Sequence, residues 1–109
     1  MSVSLERLAR RQTLFREVNE RIDDLTDGED ESIEILCECS DTECLVTLEL
    51  PRKDYERVRS VATWFAVERG HEIPEIERVV GEFDGYAVVE KTVGQDYAEE
   101  TDRRSGPQA

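Results

Sequence analysis

One histidine, one methionine, one tryptophan and two lysines are all that a chain of 109 residues holds of these types. A single histidine excludes any mechanism that needs two imidazoles. No apolar run approaches the roughly eighteen residues of a membrane span. The opening Met1-Ser2-Val3-Ser4-Leu5-Glu6 has neither the basic start nor the apolar stretch of a secretory signal. A cytoplasmic location and no membrane partner are therefore expected. Neither G-x-G-x-x-G nor G-x-x-x-x-G-K-[ST] occurs, so no loop is built to cradle a nucleotide phosphate. No internal repeat is present.

Positive charge is also scarce: 14 Lys+Arg stand against 27 Asp+Glu, for a net charge of −13. A chain this acidic repels phosphate backbones, and nucleic acid is not an expected partner. Arg7, Arg10 and Arg11 are too few to reverse that. The charge is uneven. Residues 1–22 carry +2, residues 51–71 carry +2 and residues 72–109 carry −6, whereas residues 23–50 hold eleven acids and no base. That segment is either a solvated acidic surface or a face for a basic partner.

The length suits one α+β domain over residues 1–93, followed by a polar and acidic tail, 94–109, expected to be disordered. Residues 4–25 read as a long N-terminal helix, with Ser2 or Ser4 as cap. Leu8, Phe15, Val18, Ile22 and Leu25, with Leu14 at the edge, form an apolar stripe that Arg11 interrupts. The stripe is expected to pack on the core or, alternatively, to meet a twin or another protein. Ile33–Cys39 and Leu45–Leu50 read as a cysteine-bearing β-hairpin around Ser40-Asp41-Thr42-Glu43. A second helix is expected over Arg52–Ala62 after Pro51, and a strand over Thr63–Val67. Ile76, Val79, Val80 and Phe83 fit a short helix over 74–83 slightly better than a strand. Asp84-Gly85 before the strand 86–91 is nonetheless a hairpin signal. The strands are expected to form a small, mostly antiparallel sheet.

All three cysteines fall within eight residues, as Cys37-x-Cys39-x4-Cys44, and the lone His71 follows in Gly70-His71-Glu72. Cys37 and Cys39 share one face of a strand, and Cys44 opens the returning one, so three sulfurs can converge near the hairpin tip. Tetrahedral zinc needs four ligands, and His71, on a glycine-hinged loop, is the natural fourth. A structural Cys3His zinc site leaves no open position for catalysis, so a non-enzymatic module is expected. Crowded thiolates beside Glu34, Glu38, Asp41 and Glu43 should hold their pKa values up, which a cation relieves. Three buried inert thiols and a thiol-based redox or metal sensor are the other readings. A zinc-dependent hydrolase is a third, and three thiolates would make its metal a poor Lewis acid. Glu72, Glu75 and Glu77 can be read as acid/base groups, or more simply as a solvated helix start.

Phe15-Arg16-Glu17-Val18-Asn19-Glu20-Arg21-Ile22, Cys37-Glu38-Cys39 with Cys44, Tyr55-Glu56-x-Val58-Arg59, Gly70-His71-Glu72 and Tyr86-Ala87-Val88-Val89-Glu90-Lys91 together resemble a family of small bacterial proteins of unknown function. The likeness runs from about Arg11 to Lys91. In that family the cysteines recur with Gly-His-Glu, which implies a metal-binding set but no activity. Arg69 stands where the relatives commonly have Pro, and Ile73 where they often have an acid.

Overall fold

The computed structural model describes residues 5–26, 28, 31–39, 41, 43–93 and 95–102. Helix α1 spans Leu5–Asp24, strand β1 Ser32–Leu36, β2 Thr47–Pro51, helix α2 Arg52–Arg59, β3 Trp64–Val67, β4 Glu77–Phe83, β5 Tyr86–Lys91 and α3 Gln95–Glu100. The fold is α+β, with antiparallel sheets of two strands, β1-β2, and three strands, β3-β5-β4. No helix among the described residues is long and apolar enough to cross a membrane. The proposed caps Ser2 and Ser4 lie outside the described residues.

Period-two alternation explains the small sheet: Ile33 pairs with Leu50 and Ile35 with Leu48, all buried, while Glu34 and Glu49 point out. These residues join Tyr55 and Val58 of α2 in one apolar cluster with Ala66, Tyr86 and Val88. Phe65, Val67, Ala87 and Val89 face the opposite way and form a second cluster with Cys37, Cys39 and Ala98. The central strand β5 is thus buried on both faces, and the cysteines belong to one side of it.

Residues 74–83 correct the short-helix expectation. Glu77–Phe83 is the edge strand β4, with a bulge between Val79 and Gly81. Gly85 takes a φ of 81° in the connecting turn, a conformation that glycine supplies without strain. Phe83 stacks on Tyr86 with ring centroids 5.0 Å apart. Val79, Val80 and Phe83 stay exposed because the edge has a single covered face, so their helix-like spacing was coincidental.

Helix α1 overturns the expected orientation. Gln12, Thr13, Arg16, Asn19, Glu20 and Asp23 are buried, whereas Leu14, Val18 and Leu25 are 56, 39 and 86% exposed. Phe15 and Ile22 are only partly buried, and the side chain of Leu8 lies outside those described. The polar face goes inward because its groups find partners there, which removes the cost of desolvating them. Arg16 donates to the carbonyls of Ala62 (2.6 Å) and Ala98 (2.9 Å), and its guanidinium lies 4.9 Å from the Phe65 ring centroid. Asp23 accepts from Arg52 at 2.9 Å.

The C-terminal stretch also departs from expectation. Residues 95–100 form α3, and Ala98 and Asp102 are buried. Low apolar content argued for disorder, but buried Arg16 and Arg59 both take acceptors from this segment. Arg59 donates to Asp102 at 2.5 Å, with Glu20 at 3.5 Å on its other side. Residues 103–109 lie outside the described residues. Asp102→Ala leaves Arg59 short of its strongest acceptor. It should cost about 3 kcal/mol, the scale for breaking a buried ion pair, read as a lower urea midpoint at unchanged slope.

Candidate metal centre

The cysteines leave the ladder sooner than the sequence suggested. β1 ends at Leu36 and β2 begins at Thr47, so all three cysteines sit in the connection rather than in the strands. Among the described residues, the Cys37 N–H alone extends the pairing, donating to Val46 O at 3.0 Å. Beyond it, Glu38 bonds to β3 instead: its N–H donates to Ala66 O at 2.8 Å, and its carboxylate accepts from Ala66 N–H at 2.9 Å. Extended backbone keeps Cys37 and Cys39 on the side opposite Glu38. Asp41 turns the chain back by accepting from the backbone of Glu43 and Cys44, through its side chain at 2.9 Å and its carbonyl at 3.2 Å.

His71 arrives from the other direction. After β3 the chain turns at Gly70, whose φ is 92°, and the His71 N–H bonds to Glu68 O at 2.9 Å. A Cβ on Gly70 would meet nothing within 4 Å, so this glycine serves conformation rather than space. The outcome is one cluster. The ligand atoms of Cys37, Cys39, Cys44 and His71 all lie within 4.8 Å of one another, close enough to hold a metal ion. Cys37 and Cys39 are buried, Cys44 and His71 half-buried, and none of the three thiols is in a disulfide. A shallow opening bordered by Cys39, Asp41, Gly70, His71 and Ile73 adjoins the cluster and gives an ion an entry path.

The imidazole is oriented for ligation. Nδ1 lies 3.6 Å from both Cys37 Sγ and Cys44 Sγ. Nε2 points away, 2.9 Å from Glu68 Oε2. A carboxylate accepting from the outer ring nitrogen fixes the tautomer that leaves Nδ1 free to bind a metal. Glu68 also donates its backbone N–H to Cys37 Sγ at 3.1 Å. Sequence reading missed this residue. The available signal was its place three before His71, across a glycine turn.

Burial and mutual hydrogen bonding divide the thiols. Cys37 is pushed up by its hydrogen bond to Cys39 and then by burial. Burial raises Cys44. Cys39, which receives the Cys37 hydrogen bond, is lowered to about 5. The expectation that all three would be held up therefore fails at Cys39. A thiolate can be stabilised by neighbouring thiols without any nearby cation.

Beneath the cluster lies a buried polar network. The Glu38 carboxylate accepts from Asn19 Nδ2 at 2.9 Å and from the Tyr55 hydroxyl at 2.8 Å, besides Ala66 N–H. Asn19 also clamps the Leu36 backbone in both directions at 2.8 Å. Gln12 donates to Glu38 O and to Glu77, and accepts from Lys91. Glu77 is buried, contrary to the solvated-turn reading, and takes the Ile73 N–H at 3.0 Å. Burial raises Glu38 and Glu77 and lowers Lys91. Glu75 is exposed and Glu72 half-buried.

Comparison of the chain with protein-family models, curated proteins and solved structures gives no match.

Glu68→Ala should weaken metal retention by about 10–100-fold while leaving all four ligands in place, and Glu68→Gln should weaken it less. Competition against a chromogenic chelator measures both.

Proposed function

We propose that this protein is a small zinc-binding module in which Cys37, Cys39, Cys44 and His71 hold one structural Zn2+. One observation carries the reading. Tetrahedral zinc with bonds of about 2.3 Å to sulfur and 2.0–2.1 Å to nitrogen sets each S···N separation at about 3.6 Å. Two of the three, from His71 Nδ1 to Cys37 Sγ and to Cys44 Sγ, are 3.6 Å. The donor set agrees, since thiolates and imidazole suit a borderline-soft ion rather than magnesium or calcium. Four protein donors complete the tetrahedron and leave no place for a reactive water, so the module is not an enzyme. Its role is regulatory, exercised by binding another protein in the cytoplasm. The ion ties the loop after β1 to the loop after β3. Such a tie contributes on the order of 10 kcal/mol in small zinc folds, comparable to the whole stability of a domain this size.

Elemental analysis of protein purified without added metal should find one zinc per chain. His71→Ala should lose most of it and lower the melting temperature. A metal-free chain whose Cys→Ser variants melt unchanged would overturn the reading. Acid should release the ion, because protons compete for the thiolates.

A thiol sensor using the same cysteines is favoured by one feature, the half-buried Cys44 beside the low-pKa Cys39. Mild peroxide that expels zinc, followed by rebinding on reduction, would establish that reading. Zinc that stays bound would eliminate it.

A further inference from the structure

The face of the three-stranded sheet opposite the cysteines carries a cavity that the metal centre does not use. Tyr86 and Val88 turn to this face, whereas Ala87 and Val89 turn to the cysteines. Helix α2 packs on β3 here. Between α2 and the edge strand β4 a space of 150 Å3 remains, bordered by Val58, Trp64, Val80, Phe83, Tyr86 and Val88. Its apolar sides are pinned. A Cβ at Gly81 would stand 2.9 Å from the Phe83 ring, so glycine lets that ring lie against the strand. The ring then stacks on Tyr86 at an interplanar angle of 18°. Trp64 donates its indole N–H to Glu90 at 3.3 Å, and Arg78 grips the same carboxylate at 2.7 and 3.0 Å. Side chains held in this way keep the space open, as in preformed ligand cavities.

Size and charge together define what fits. An apolar cavity of about 150 Å3 takes up benzene, so the space suits a single six-membered ring. Among the described residues, the charged groups that border it are Asp54 and Arg57, both on α2. They stand one helical turn apart with oxygen and nitrogen at 3.8 Å, too long for a hydrogen bond. The Arg57 side chain is 68% exposed, so its guanidinium has donors to spare for a carboxylate. The Asp54 carboxylate can accept from an ammonium group. A ring-bearing acid would be repelled by the net charge of −13, and a ring-bearing amine by Arg57. A zwitterion matches both rim charges and carries no net charge. We propose that this cavity binds a free α-amino acid with one aromatic ring, the ring between α2 and β4, the ammonium on Asp54 and the carboxylate on Arg57. The site lies across β5 from the cysteines and needs no ion.

Trp64 is the one tryptophan of the chain and borders the cavity, so its fluorescence reports occupancy. L-Phenylalanine titrated into the zinc-loaded full chain should change it saturably, with a dissociation constant of about 1 mM or below. 3-Phenylpropionate and phenethylamine each lack one charge and should bind about tenfold more weakly. N-acetylphenylalanine amide, which imitates an aromatic residue inside a chain, should be weakened at least as much. Arg57→Gln should weaken L-phenylalanine by about tenfold and leave phenethylamine unchanged. Asp54→Asn should weaken it similarly and leave 3-phenylpropionate unchanged. Val80→Phe, at a position 40% exposed, should fill the space and abolish binding at unchanged zinc content and melting temperature. No saturable change up to about 10 mM L-phenylalanine would overturn the proposal. Equal binding of the acetylated amide would also overturn it, marking instead a seat for another protein's aromatic side chain. So would binding of L-phenylalanine that is indifferent to Arg57→Gln and Asp54→Asn. Zinc content measured on the same samples separates these outcomes from failure of the metal site.

Discussion

The Glu38 carboxylate is the constraint on which the rest of the structure depends. It is completely buried between two cysteines and accepts hydrogen bonds from α1 through Asn19, from α2 through Tyr55 and from β3 through Ala66. A carboxylate in that position is tolerable only when its oxygens are satisfied. Satisfying them brings three elements to one point. Because side chains alternate along an extended chain, holding Glu38 inward on one side commits Cys37 and Cys39 to the other. The same bonds that hold the helices therefore aim the sulfurs.

The polar seam beneath α1 follows from this constraint. A helix docked through Gln12, Arg16, Asn19, Glu20 and Asp23 obtains directional bonds rather than apolar area. Those bonds specify register more sharply than burial of Leu or Val would. Arg16 and Arg59 then need acceptors, and α3 with Asp102 supplies them. A segment poor in apolar residues is thereby ordered by hydrogen bonding. The apolar side of α1 is left outward, where it becomes a surface.

Around the cluster, the arrangement separates support from ligation. Glu68 holds the outer nitrogen of His71, the Glu68 amide touches Cys37, and Glu38 holds the backbone between Cys37 and Cys39. Loops carry all four residues of the cluster, but each loop is tied to a strand within a few residues. This is how a set spread over 35 positions of sequence converges on an ion-sized space.

The α+β class, the hairpin registers of Ile33, Ile35, Leu48 and Leu50 and the strand at 86–91 follow from local pattern, and the residues of the Cys37, Cys39, Cys44 and His71 cluster stand out by type. Period-two burial is a property of residues close together in the chain, and one histidine and three cysteines in 109 residues are picked out by composition. Tertiary structure alone decided which face of α1 turned inward, whether 74–83 became a strand, and whether 95–102 became ordered. Each of these turned on partners far away: Glu38 for Asn19, β5 for Ile76–Phe83, Arg59 for Asp102. Apolar periodicity records what water would expel. It carries no trace of a buried hydrogen bond whose second member lies dozens of residues distant.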